Sequence, residues 1–187
     1  MRGIRKFLSR LFSRFKKKTK KAKTKKTFLP KFDERTEKHL KTLLPEIDQE
    51  MREFVALAKK VAARFGMTFK VISSYRSPEE QAALYAKGRT TAGSIVTKAK
   101  PYSSTHNYRL AIDGGLFKSS GAYLDGLDSR LSYKIYKAIA DNAEDRGMNI
   151  EAGVNWKSFC DPPHFHYKTK YNMAQLKQRL LNDLPLV

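Results

Sequence analysis

Two short stretches of this chain hold the residue types that can do chemistry together. His106 and Asp113 fall within one, and Asp161 and His164, separated only by Pro162-Pro163, make up the other. Two imidazoles and one carboxylate form a three-ligand set that zinc accepts while keeping a fourth position open for water. The second carboxylate is then free to act as a general base. The chemistry implied is metal-assisted hydrolysis.

The spacing sets conditions on the fold. On an ideal helix His106 and Asp113 would lie ~10.5 Å apart along the axis, and on one strand over ~20 Å apart. Neither suits side chains that must each come within ~2.0–2.2 Å of one ion. His106 must therefore sit on a loop that folds back beside a strand carrying Asp113. The two prolines are expected to hold Asp161 and His164 on extended backbone, their Cα atoms roughly 9 Å apart at ~3.1 Å per residue. Alternation along His164-Phe165-His166-Tyr167 points His166 the same way as His164. That leaves His166 as a competing ligand, a donor behind a ligand, or a partly exposed strand histidine.

The elements that must position these residues can be read in order. Asp33 can cap a helix from Glu34 to Leu44, and Pro45 suits the start of a second helix running to Phe65, stopped by Gly66. Thr68–Ser73 is β-branched and alternating, hence a strand. Ser77-Pro78-Glu79-Glu80 forms a capping box for a helix to about Lys87. Arg76 precedes it at a strand-to-helix junction, where a side chain faces a cleft or makes a structural salt bridge. Residues 89–105 read as loop. Leu110–Phe117 reads as a strand interrupted by Gly114-Gly115, with a partner segment at Ala122-Tyr123-Leu124. A helix over Ser132–Arg146, short strands near Met148–Ile150 and His164–Tyr167, and a last helix over Met173–Leu181 complete the chain. This order is α+β, with a small antiparallel sheet flanked by helices.

Composition adds a division. The chain has 187 residues and a net charge of +20. Residues 1–26 contain 13 Lys/Arg and no acid. We divide the chain into a basic leader, 1–29, and a domain, 30–187. Ile4, Phe7, Leu8, Leu11, Phe12 and Phe15 share an arc of about 140° on a helix over 1–15. A basic amphipathic helix followed by lysines resembles an interfacial binder of anionic membranes or wall polymers. A solvated leader and an organellar transit peptide are the alternatives. No stretch has the ~20 apolar residues of a membrane span or the apolar core of a secretory signal. The single cysteine, Cys160, excludes an internal disulfide; it is read as a small buried side chain, with a Cys–His nucleophile as the alternative. His39, among charged neighbours, reads as a surface residue. No nucleic-acid motif accompanies the charge.

The quoted segments also carry a family resemblance. Ser104-Thr105-His106-Asn107-Tyr108-Arg109-Leu110-Ala111-Ile112-Asp113 resembles the S-x-H-x-x-G-x-A-x-D motif of the M15 zinc peptidases. Trp156-Lys157-Ser158-Phe159-Cys160-Asp161-Pro162-Pro163-His164-Phe165 is similar to their W-K-x-F-x-D-x-P-H-F segment. Tyr75-Arg76-Ser77-Pro78-Glu79-Glu80-Gln81 through Gly88-Arg89-Thr90 resembles the L-alanyl-D-glutamate endopeptidase branch, which includes phage endolysins. The matches span roughly residues 33–168. The resemblance implies an M15/Hedgehog-like fold with the zinc site at the sheet. It implies His106, Asp113 and His164 as Zn2+ ligands, Asp161 as catalytic base and Arg76 as a cation stabilising the substrate carbonyl or oxyanion. Ser104 and Tyr75 become substrate contacts, and His166 a group supporting the ligands. The implied substrate is the peptidoglycan stem peptide, cut between L-alanine and D-glutamate, with action at the cell wall or periplasm. D-alanyl-D-alanine carboxypeptidase or dipeptidase activity is the alternative within the fold. Two departures stand out: Arg109 replaces the motif glycine, and His166 stands where relatives often carry glutamine. If Arg109 impairs the site, the chain becomes a cationic wall- or membrane-binding module.

Overall fold

The computed structural model describes residues 30–125 and 128–187. The leader, including the helix expected over 1–15, lies outside the described residues. Among the described residues, five α-helices flank a four-stranded sheet, as the α+β pattern predicted. They are α1 (Glu34–Leu40), α2 (Asp48–Ala63), α3 (Pro78–Ala86), α4 (Ser129–Asp145) and α5 (Met173–Leu181). The strands are β1 (Thr68–Ser73), β2 (Ala111–Phe117), β3 (Ile150–Ala152) and β4 (His164–Tyr167), in spatial order β1-β2-β4-β3 with every neighbour antiparallel.

Local chemistry sets the helix starts. Asp33 accepts from the Thr36 amide at α1. Ser77 and Glu80 form a reciprocal capping box at α3, and Asn172 and Gln175 form another at α5. The helix expected to reach Leu44 ends at Leu40, and Pro45–Ile47 is a 3-10 turn before α2, which ends at Ala63 rather than Phe65. Pro45 disfavours helical backbone at the residue before it, which separates the two helices. α4 begins three residues earlier than expected because Asp128 caps it. Strand β3 falls at Ile150–Ala152, two residues later than expected.

Alternation divides the sheet into two faces. Phe69, Val71, Ile112, Leu116 and Phe165 are all fully buried among α2 and α4. Phe165 anchors this side, its ring 4.8 Å from Phe54, 6.3 Å from Phe69 and 6.2 Å from Tyr136. Truncating such a residue to alanine typically costs about 3–5 kcal/mol. The in-between residues Asp113, Glu151, His164 and His166 point to the opposite face. Strand β2 runs unbroken through Gly114-Gly115, contrary to the interruption expected there. A Cβ on Gly114 would meet the Phe69 ring at 2.2 Å, so this glycine admits an aromatic ring against the backbone. Among the described residues, no helix is long and apolar enough to cross a membrane.

Candidate metal centre and its cleft

Three segments bring the chemically active side chains together. Thr105–Tyr108 folds as one 3-10 turn, begun by Ser104, whose Oγ accepts from the His106 amide at 3.4 Å. Arg109 then reverses the chain with φ +60° and ψ +27°, which lets β2 start at Ala111 and carry Asp113 back beside His106. The fold-back that the spacing demanded is therefore present. The antiparallel register sets Asp113 directly opposite His164.

The Asp161-Pro162-Pro163-His164 segment is not extended as expected. The His164 amide donates to the Asp161 carbonyl at 3.1 Å, which closes a turn. Proline pre-sets φ for the first central position of such a turn, so the same stiffness yields a reversal. Gly153 is the packing partner that this region requires and that the sequence reading did not single out. A Cβ there would lie 2.4 Å from the Asp161 carbonyl oxygen. A glycine just after a short strand was the available signal.

His106 Nε2, Asp113 Oδ1 and His164 Nδ1 converge, at 3.1 Å, 3.2 Å and 3.3 Å for the three pairs. The group that could hold a metal ion lies within 4.8 Å. The opposite ring nitrogens have their own partners. His106 Nδ1 donates to the Ser74 carbonyl at 2.6 Å, and His164 Nε2 meets Thr105 Oγ1 at 3.2 Å. A carbonyl only accepts, so the His106 proton sits on Nδ1 and its Nε2 lone pair faces inward. Placing the His164 proton on Nε2, toward Thr105 Oγ1, leaves three lone-pair atoms facing one another, a set that a divalent cation would satisfy together. The set of two imidazoles and one carboxylate suits zinc. Ser74 and Thr105, the partners holding these rings, had not been singled out from the sequence.

Burial alone would raise the Asp113 carboxyl, yet the neighbouring His106 and His164 hold it below the usual carboxylate range. Asp161, in the same cavity, is raised by burial and by Asp113 against the lowering effect of His164, His106 and Arg76. Arg76 Nη2 lies 3.8 Å from Asp113 Oδ2, and its Nη1 donates to Gln81 Oε1 at 3.0 Å. His106, Asp113, His164, Asp161 and Arg76 line a cleft of about 840 Å³ with Ser104 and Trp156. The Trp156 ring lies 5.0 Å from His164, while its indole N–H donates to Glu151 Oε1 at 2.6 Å.

Other expected residues lie elsewhere or behave differently. His166 lies outside the converging group; its Nε2 is 3.8 Å from Glu151 Oε2, and its Nδ1 is buried without a partner. Burial, reinforced by His164, lowers its pKa to about 4. Tyr75 lines a neighbouring groove beside His39 and Arg76, apart from the main cleft. His39 is half-buried, not solvated: its Nδ1 is 2.9 Å from Ser74 Oγ because α1 packs on β1. Cys160 is exposed, correcting the buried expectation, since the segment before the proline turn runs along the surface. Arg109 is exposed, sets its guanidinium 5.2 Å from the Tyr75 ring, and is not among the residues lining the cleft. The motif glycine thus corresponds to a left-handed backbone position, which Arg109 occupies here at some strain.

A family model described as VanY, D-alanyl-D-alanine carboxypeptidase, matches residues 41–170. The chain is 36% identical over 109 residues to the peptidoglycan L-alanyl-D-glutamate endopeptidase CwlK of Bacillus subtilis (strain 168). That alignment covers 57% of this chain and 64% of CwlK, so the chain spans slightly under two thirds of that relative's length. Among solved structures, the Serratia marcescens L-Ala D-Glu endopeptidase ChiX is similar with a TM-score of 0.48 and 21% identity, over 77% of this chain and 94% of that one. The LD-carboxypeptidase LdcB is similar with the same score and identity, over 77% and 74% of the two chains. With its family model matched across most of the described fold, the chain belongs to the VanY family of M15 peptidases.

Proposed function

We propose that this chain is a zinc-dependent peptidase that hydrolyses the stem peptide of peptidoglycan, cutting between L-alanine and D-glutamate. The observation that carries the reading is the convergence of His106 Nε2, Asp113 Oδ1 and His164 Nδ1 on one point, in a cleft shared with Asp161 and Arg76. The identity to CwlK supports this scissile bond, and the description of the matched family supports the alternative, D-alanyl-D-alanine carboxypeptidase activity.

In this mechanism His106, Asp113 and His164 would hold the ion, which would lower the pKa of a water there and polarise the peptide carbonyl. Asp161 accepts the proton of the attacking water and returns it to the leaving amine, a task suited to a carboxylate whose basicity burial has raised. Arg76, held by Gln81 and Ser73, presents its guanidinium to the oxygen on which negative charge develops. Ser74 and Thr105 keep the two imidazoles in register. Trp156 covers His164 and limits water around it.

We assign residues 30–187 as the peptidase domain and residues 1–26, by their charge, to contact with an anionic membrane or wall polymer. Digestion of purified peptidoglycan tests the reading, with the products identified by mass. Chelator-sensitive release of D-glutamate-led peptides is expected, and release of D-alanine alone favours the carboxypeptidase. No cleavage with zinc supplied, or undiminished cleavage by His106→Ala, overturns the peptidase mechanism. Removing residues 1–26 is expected to preserve cleavage of soluble fragments and to weaken binding to anionic vesicles or intact walls.

A further inference from the structure

The loop between α3 and the 3-10 turn contains a lysine whose placement the proposed chemistry does not use. Lys98 lines the main cleft and sets its Nζ 4.8 Å from the Phe159 ring at the rim. The backbone on both sides of it is tied down. The Thr97 carbonyl accepts from Arg89 Nη2 at 3.0 Å, and the Ala99 carbonyl accepts from Gln81 Nε2 at 2.7 Å. Gln81 is fully buried, and its Oε1 takes the hydrogen bond from Arg76. One buried amide therefore fixes the loop carrying Lys98 relative to the proposed oxyanion cation.

The charges around the cleft give this lysine a purpose. Asp113, Asp161 and Glu151 all line it, and its cations are Arg76 and Lys98. Arg76 is occupied by Asp113, Gln81 and Ser73. Lys98 makes none of the ion pairs found among the described residues. An aromatic face holds an ammonium by the ring quadrupole while leaving N–H donors available. For an anionic substrate entering beside Asp161 and Glu151, Lys98 adds an attractive charge at the rim, away from the metal ligands.

We propose that Lys98, steadied by Phe159, is the subsite for a free carboxylate adjoining the scissile amide. This rests on the stem-peptide reading above. A D-glutamate joined onward through its side-chain carboxyl keeps its α-carboxylate beside the amide nitrogen that leaves, and that carboxylate is the group Lys98 recognises. The corresponding carboxamide, D-isoglutamine, lacks the charge and binds less well.

The test uses the full zinc-loaded chain and two product peptides differing only in carboxylate or carboxamide at that position, with affinity measured by calorimetry. The wild-type protein is expected to bind the carboxylate about fivefold more tightly, a modest factor because the ammonium stays in contact with water. Lys98→Met removes the preference, and Lys98→Arg retains it. Added salt reduces it. A preference that survives Lys98→Met unchanged, or its absence in the wild-type protein, overturns the proposal. Cleavage of the corresponding uncut peptides is scored separately. If neither peptide is cut but Lys98→Met abolishes the binding preference, the peptidase reading fails and the carboxylate subsite stands. If both are cut and bound equally well, the subsite fails and the peptidase stands.

Discussion

Two clusters of partly buried charge can be compared within this fold. On the helix side, Arg52 donates from Nη1 and Nη2 to Glu37 at 3.0 and 2.9 Å, and from Nε to both oxygens of Asp48 at 3.0 Å. Its Nη1 also donates to the Pro30 carbonyl at 3.2 Å. Each of the three guanidinium nitrogens finds an acceptor, and the cluster staples α1 to α2. Across the sheet, His106 Nε2, Asp113 Oδ1 and His164 Nδ1 crowd within 3.3 Å of one another, and with each imidazole proton on its outer nitrogen the three face inward as acceptors. Its outer nitrogens are as carefully partnered as the guanidinium, but its centre is not. A matched cluster serves the fold, and a mismatched one with matched surroundings is built for a cation.

This difference can be broken from either side. The largest effect is expected within the mismatched cluster's cleft. Asp161→Asn should reduce peptidoglycan hydrolysis by about 10²–10⁴-fold, as expected for loss of a general base, with little change in the unfolding midpoint. Next, Gly153→Ala forces the Asp161 backbone aside and should lower kcat by roughly tenfold to a hundredfold, the scale of misplacing a catalytic group by about 1 Å. Steady-state assays on soluble stem peptides measure both. In the matched cluster, Arg52→Met should cost about 2 kcal/mol in chemical denaturation, below the range for fully buried pairs because Glu37 and Asp48 meet water. Its activity per folded molecule should be unchanged.

Two smaller effects sharpen the contrast at the edges of the site. His166 is neutral when folded, its pKa lowered from 6.5 to about 4, chiefly by burial. Between these values the unfolded chain binds a proton that the folded chain does not, so stability falls as pH drops from about 6.5 towards 4. His166→Gln should flatten that part of the stability curve, followed by thermal unfolding across pH. The smallest effect is expected from Arg109→Gly, which relieves a left-handed non-glycine residue and should stabilise by up to about 1 kcal/mol without changing kcat. A loss of activity in that variant would mean that Arg109 contributes to the site after all.

What could be read from the sequence follows the range of the interactions. The helix cap at Ser77 and the alternation of β1 and β4 are local, and their elements formed close to where those residues placed them. The requirement that His106 fold back beside Asp113 was legible because ligand reach is short compared with any regular element joining them. The means of folding back, a 3-10 turn with a left-handed residue at Arg109, was not. Nor was the role of Gly114, which answers to Phe69 across a strand pairing, nor that of Gly153, which answers to the Asp161 backbone. Ser74 and Thr105 show no motif-level sign because one acts through its carbonyl and the other through a hydroxyl reaching across the sheet. His39 and Cys160 were misjudged because burial depends on what packs beside a residue, here β1 for His39 and open solvent for Cys160.

The most direct measurement is zinc binding to the purified full-length chain by calorimetry, with Asp113→Asn and Arg52→Met measured alongside. One zinc ion per chain is predicted for the wild-type protein and for folded Arg52→Met, with affinity sharply reduced by Asp113→Asn. Equal zinc binding by wild type and Asp113→Asn, or none by the wild-type protein, would contradict the assignment of the mismatched cluster as a metal centre.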